Sequence, residues 1–235
     1  MDTTSRDSRA GSGGGTERRS SHNSILSRGT CGLASDNSPS LRGTCGPVKV
    51  WLMDEAEATT FIAGAVRGSG GVWADLGAGT GTFTKALAAL LGPDGRVYAV
   101  ERDAIAIGAL ARAASKLGGT TAKIVTVHAD FTEPLTLPPL DGVLLANALH
   151  YVAYDEQVPL LSRVVRGLKK QGRLVVVDYD GRRPNRWVPF PVSIDVFRDL
   201  ASDLGLTEAK VTASRPSAYG GTMFAAYAEL RARTS

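Results

Sequence analysis

The sequence predicts an α/β fold, a doubly wound and mostly parallel sheet of seven strands that closes with a C-terminal antiparallel hairpin. Three observations predict it. Near-continuous apolar runs alternate with helix-patterned segments from Val48 onward, as expected of parallel strands covered on both faces. Glycines crowd the turn between the first strand and the next helix, "GAGTG" at 77–81, so the chain must turn tightly there. The last two strand candidates follow one another with no helix between, which suits an antiparallel hairpin rather than a crossover.

In order, "WLMDEAEATTFIAGAV" (51–66) has apolar residues at helical spacing and precedes the strand "GVWADLG" (71–77). "GTFTKALAALL" (81–91) is a helix and "GRVYAVE" (95–101) a strand. "DAIAIGALARAASKLG" (103–118) is a helix stopped at Gly118–Gly119. The strand "AKIVTVHAD" (122–130) leads into a proline-broken loop, "EPLTLPPL" (133–140). An Asp-Gly turn opens the apolar strand "DGVLLANAL" (141–149). "DEQVPLLSRVVRGLKK" (155–170) is a helix with Lys169–Lys170 at its C-terminal end, where positive charge is favoured. The strand "GRLVVVDYD" (172–180) and the helix "FPVSIDVFRDLASDLGL" (190–206) follow. "EAKVTAS" (208–214) and "GTMFAAYAEL" (221–230) form the closing hairpin.

The 235 residues are 43% hydrophobic and 21% charged, which suits one globular domain with some excess chain. The excess is the Ser-, Gly- and Arg-rich segment 1–46, expected as a disordered tail because it has too little apolar surface to offset its ordering entropy. Residues 47–235 are expected to be the folded domain. The tail lacks the apolar centre of a secretory signal. Asp2, Asp7 and Glu17 weigh against a transit peptide, and no run approaches the ~20 apolar residues of a membrane span. A cytoplasmic location is therefore expected. Residues 1–50 hold seven Lys/Arg and four Asp/Glu of a formal net charge of +4. The folded part is thus nearly neutral, and no nucleic-acid partner is expected. Cys31 and Cys45 both fall in the tail region, and no metal site is expected.

The glycine turn narrows the choice of ligand. A dinucleotide fingerprint spaces its glycines G-x-G-x-x-G, whereas Gly77, Gly79 and Gly81 are spaced G-x-G-x-G, with Thr82 in the place of the third. A Walker-type loop is excluded because no Gly-Lys-Ser/Thr follows. Asp75 stands just before the glycines; it would repel a pyrophosphate but favour an ammonium or sulfonium.

These residues resemble the class I S-adenosylmethionine-dependent methyltransferases. "DLGAGTG" is similar to their first motif, acidic-x-Gly-x-Gly-x-Gly. Glu101 ends the second strand where the family holds both ribose hydroxyls, and Asp130 ends the third, followed by the apolar Phe131, where the adenine lies. "LLANALHYV" and "LKKQGRLVVVDYD" resemble the fourth- and fifth-strand segments. The resemblance covers about residues 50–230. It implies a Rossmann-like sheet of order 3-2-1-4-5-7-6, S-adenosylmethionine as cofactor, and cofactor contacts at Asp75, Gly77, Gly79, Gly81, Glu101, Asp130, Phe131 and Asn147. Other roles stay open for the polar members: Asp75 or Glu101 as helix caps, Asp130 as a turn former, Asn147 as a loop cap.

The acceptor is argued by exclusion. The segment Asn147-Ala148-Leu149-His150 lacks the prolines of base-amine methylases, and the domain lacks the cysteine that carbon-5 pyrimidine methylation needs. Asn147, Asp178 and Asp180 are too sparse to argue for metal-assisted catechol methylation. A small organic acceptor is therefore expected, with the oligomeric state not specified. His150, three residues after Asn147, is the candidate general base; a pocket-shaping role is its alternative, and His128 is expected to be structural. Tyr151, Tyr154, Tyr179, Asp178 and Asp180 are candidate acceptor-pocket residues. "GRRPNRWVPFP" (181–191) is either a lid with Arg182, Arg183 and Arg186 or a solvated loop anchored by Trp187 and Phe190. Two other functions compete on a fold of this kind. One is an NAD(P)-dependent oxidoreductase, and the other a non-catalytic protein that keeps the cofactor pocket.

Overall fold

The computed structural model describes residues 53–217 and 220–231. The expected tail at 1–46 and both cysteines lie outside the described residues. Within them the elements run α1 (Glu55–Ile62), β1 (Gly71–Leu76), α2 (Thr82–Leu91), β2 (Gly95–Glu101), α3 (Ala104–Ala114), β3 (Lys123–His128) and β4 (Leu140–Ala146). A short 3₁₀ turn at Leu149–Tyr151 leads to α4 (Tyr154–Arg166), β5 (Leu168–Asp180), α5 (Ile194–Asp203), β6 (Lys210–Pro216) and β7 (Thr222–Glu229).

All seven strands form one sheet, ordered β3-β2-β1-β4-β5-β7-β6. The first five are parallel, while β7 runs antiparallel to both β5 and β6. This is the α/β architecture and the strand order expected above. The order reverses between β1 and β4, the place where doubly wound sheets open a crevice beyond the strand ends.

Side-chain alternation divides the core. On one face Leu76, Val143 and Leu145 pack with Leu160 and Leu161 of α4 and Phe197 of α5. On the other, Trp73, Val97, Leu144 and Val175 pack under Phe61 and Ile62 of α1 and Leu87 and Leu91 of α2. Helix starts have local causes. Asp54 and Glu57 form a reciprocal capping box at α1, Asp103 caps α3, and Ser193 caps α5.

One boundary differs from the sequence expectation. Helix α4 ends at Arg166, and Lys169–Lys170 belong to β5 rather than to the helix. Tertiary pairing decides it: Leu168 lies opposite Leu140 at the start of β4, and Lys169 Nζ binds Asp141 Oδ2 at 2.7 Å. Pro159, inside α4, lies on the exposed side, where water can serve the carbonyl its ring leaves unbonded. The edge strand β6 carries an irregularity, with Val211 opposite Ala226 and Ala213 opposite Ala225, so Thr212 is an extra residue. Among the described residues no helix is long and apolar enough to cross a membrane.

Candidate functional site

Two pockets adjoin at the carboxyl ends of the parallel strands, and Gly77 and Asn147 line both. The larger, about 430 Å³, is walled by Asp75, the 77–83 turn, Met53, Tyr179, Arg215 and Met223. The smaller, about 210 Å³, is walled by Glu101, Arg102, Asp130, Phe131, Thr132 and Tyr151. Eight of the nine residues named from sequence thus fall along one cleft, and His150 lies behind its wall.

The three turn glycines differ in cause. All have positive φ, but what a side chain would meet at each is different. At Gly77 a Cβ would come within 2.7 Å of the Ala148 Cβ, and at Gly81 it would run into the Leu110 side chain. These two are required by packing. At Gly79 a Cβ would meet nothing within 4 Å, so its bare backbone opens onto the larger pocket.

Asp75 is 1% exposed, and the Thr84 hydroxyl donates to its Oδ2 at 2.6 Å. Burial, with a smaller push from Glu101, raises its pKa to about 7 despite the Thr84 hydrogen bond. Both Glu101 oxygens accept backbone N–H groups: Oε2 from Gly79 at 2.9 Å and Oε1 from Asp103 at 2.8 Å. Glu101 thereby ties the glycine turn to the start of α3, and each oxygen keeps a further lone pair.

Asp130 makes the turn of its alternative role while lining the smaller pocket. Its Oδ1 accepts the Thr132 amide and hydroxyl, at 2.9 and 2.7 Å, and Arg102 Nη1 approaches Oδ2 at 3.3 Å. Burial pushes its pKa up, but these partners outweigh it and hold the carboxyl below its ordinary value. Asn147 is left-handed at φ 53°, a conformation asparagine tolerates. Its amide donates to the Val177 carbonyl at 2.8 Å, and its buried Oδ1 has no hydrogen-bond partner among the described residues.

His150 is 2% exposed and lines neither pocket. Its Nδ1 lies 2.9 Å from Asp178 Oδ1, which also accepts the Tyr179 amide at 2.9 Å. Burial raises the Asp178 pKa, opposed by the bonds from His150 and from the His150 and Tyr179 amides. The imidazole packs between Tyr151 and Tyr179, at ring distances of 4.6 and 6.1 Å. Tyr179 faces the larger pocket and Tyr151 the smaller. Tyr154 instead points away, edge-on to Phe190 and bonded to the Pro191 carbonyl. Asp180 lines neither pocket, and His128 bonds the Arg102 carbonyl at 3.0 Å. The 181–191 loop is anchored by Phe190, whose amide donates to the His150 carbonyl, whereas Trp187 is 65% exposed and its ring meets Arg186 of the same loop at 4.7 Å.

Sequence reasoning did not find Thr84 or Arg215, nor Asp178 as the partner of His150. Thr84 binds an acid nine positions earlier, a pairing that depends on how α2 folds back over β1. Arg215 reaches the cleft only because β7 and β6 extend the sheet beyond β5; the implied strand order was the one available signal.

A family model described as a methyltransferase domain matches residues 74–172. No curated protein sequence matches the chain. Among solved structures, a SAM-dependent methyltransferase from Aquifex aeolicus superposes with a TM-score of 0.59 at 20% identity, over 79% of this chain and 94% of that one. The 1,6-didemethyltoxoflavin-N1-methyltransferase of Burkholderia thailandensis, with bound 1,6-didemethyltoxoflavin and S-adenosylhomocysteine, gives 0.60 at 21%, over 76% and 78%. The mitomycin 7-O-methyltransferase MmcR gives 0.56 at 23%, over 74% of this chain and 53% of that one. At these identities the likeness is one of fold.

Proposed function

We propose, from the premise that residues 74–172 are a methyltransferase domain on the class I methyltransferase fold, that this protein transfers a methyl group from S-adenosylmethionine to a small-molecule acceptor. Gly79 carries the proposal. Its bare Cα faces open pocket beside Asp75, a cradle that any side chain would begin to fill. The unpartnered Asn147 Oδ1 fits the same reading, since a buried acceptor without a donor costs ~1–3 kcal/mol until a ligand supplies one.

In this reading Asp75 and Gly77–Gly81 hold the amino-acid end of the cofactor. Glu101 takes the ribose, and Asp130, Phe131 and Asn147 surround the adenine. The cofactor, when bound, supplies an activated methyl group on a sulfonium leaving group. The chain's task is then mainly alignment, holding the acceptor atom at about 3–3.5 Å from the methyl carbon. A base is needed only if the acceptor loses a proton. His150 is our candidate, with Asp178 accepting from Nδ1–H and Nε2 left as the acceptor nitrogen; lying behind the cleft wall, it serves only when Tyr151 or Tyr179 moves aside. The small-molecule class is supported by the near-neutral folded part, and by the fold's occurrence in the toxoflavin-precursor and mitomycin enzymes. A cytoplasmic site of action is part of the proposal, checked by fractionating cells that express the full chain.

The test is calorimetric titration of the full chain with S-adenosylhomocysteine and, separately, NADH. Binding of the first and not the second is expected; the reverse would replace this reading with a nicotinamide-dependent one. Binding without turnover of labelled S-adenosylmethionine in a metabolite extract would instead mark a protein that keeps the pocket without the chemistry.

A further inference from the structure

We infer that the acceptor is a planar, largely apolar molecule bearing an anionic group, held through that group by Arg215. The inference deepens the methyl-transfer reading and rests on it. The larger pocket has two chemically different ends. Asp75 and the glycine turn form one, while Met53, Phe83, Tyr179, Met223 and Arg215 form the other. Thioethers and aromatic rings suit a flat, polarisable body.

Arg215, next to last in β6, lies opposite Met223 of β7, and both side chains line this end of the pocket. Its charged neighbour is Glu57 Oε1 at 3.6 Å, beyond hydrogen-bond reach, and the Arg215 side chain donates no hydrogen bond among the described residues. Glu57 is itself committed to α1, where its Oε2 accepts the Asp54 amide at 3.1 Å in the capping box. A half-buried guanidinium with five planar donors thus faces the pocket with its hydrogen-bonding capacity unused. That fork matches a carboxylate or another planar anion.

The charge distribution points the same way. Among the described residues that line this pocket the only acid is Asp75, at the opposite end and engaged by Thr84. A second guanidinium, Arg182, stacks 4.6 Å over the Tyr179 ring and adds positive potential to that wall. An acceptor with a cationic group would meet the Arg215 charge; one with an anionic group meets an open fork. In the transfer itself the S–CH₃ bond breaks, its electron pair stays on sulfur as a neutral thioether, and the acceptor atom forms the new bond to carbon. Arg215 anchors the anion and takes no proton.

The experiment saturates the full chain with S-adenosylhomocysteine and titrates it with 4-hydroxybenzoate and with 4-hydroxybenzamide, which match in shape and differ in charge. The acid should bind at least about tenfold more tightly, the scale of one charge-assisted pair. In Arg215→Gln that preference should vanish, while affinity for S-adenosylhomocysteine stays within about twofold. Equal binding of acid and amide, binding of neither, or a preference that survives Arg215→Gln would overturn the proposal alone. Failure of S-adenosylhomocysteine to bind the wild-type chain would overturn the methyl-transfer reading, and this proposal with it.

Discussion

At Asp75 the fold places a carboxyl out of reach of water and near a second acid, Glu101, so that it keeps its proton up to about pH 7. In our reading a ligand ammonium binds the ionised form. Affinity for S-adenosylhomocysteine should therefore fall as pH drops below about 7, by up to about tenfold per unit, and level off above it. Calorimetry from about pH 6 to about pH 8.5 checks this; a flat profile would remove the ammonium from Asp75. Stability carries the opposite sign. The raised pKa favours the folded state most below the ordinary carboxyl value of 3.8, and that contribution is lost as pH rises through about 7. Asp75→Asn should thus melt higher than wild type at about pH 8 while binding the cofactor product poorly.

The turn glycines separate binding from folding at the same scale. Gly79→Val should abolish S-adenosylhomocysteine binding and cost ~1–2 kcal/mol of backbone strain, because its Cβ would meet no protein atom within 4 Å. Gly81→Ala should instead lower the melting temperature by meeting Leu110. A Gly79→Val chain with normal affinity would refute the placement of the cofactor. For His150→Ala, the stranded Asp178 should cost ~3 kcal/mol of stability. Turnover should fall with little change in cofactor affinity, and full turnover in the folded variant would assign His150 to structure.

At the scale of elements, the alternation of apolar strands and helices was legible because the central strands β1, β4 and β5 are buried on both faces and each helix on one, while β3 at the edge is only partly buried. The glycine turn was legible for a related reason, since close glycines mark where β1 turns into α2; Glu101 ends β2 as expected, whereas Asp130 falls in the loop two residues past the end of β3. What local pattern did not reveal was settled by partners distant in sequence. The Leu168–Lys170 stretch looks like a helix end, and it becomes strand only because β4 offers Leu140 and Asp141 as partners. Similarly, Trp187 and Phe190 both read as anchors of their loop; Phe190 holds, its amide bonded to the His150 carbonyl, but the indole is left outside. Helix starts depend on nearer chemistry. Asp54→Ala removes one half of the α1 capping box and should cost ~1 kcal/mol in denaturant unfolding. The Glu57 carboxylate accepts from the backbone amide of residue 54, which the variant keeps, so the preference for anions at Arg215 should be unchanged in the benzoate titration.

For the molecule as a whole, Glu229 near the end of β7 ties together segments that are far apart in the chain. It binds Arg67, which follows α1, at 2.8 Å, and Arg173 of β5 at 3.0 Å, while Arg173 also donates to the Ala65 carbonyl at 2.9 Å. Burial raises the Glu229 pKa, but the two arginines outweigh it and hold it below its ordinary value. Its stabilising share is therefore present above the ordinary value of 4.5 and is lost as pH falls through the lowered one. The irregular edge strand has a consequence for how copies of this protein meet. A straight β6 would offer its outer amides and carbonyls as a template on which another sheet could continue, with the half-exposed Val211 helping to seat it. The extra Thr212 breaks the spacing of that row, and its hydroxyl turns inward to the Ala225 carbonyl. A neighbour could align with one part of the edge but not with the next, so the bulge acts as a barrier to runaway stacking in a crowded solution.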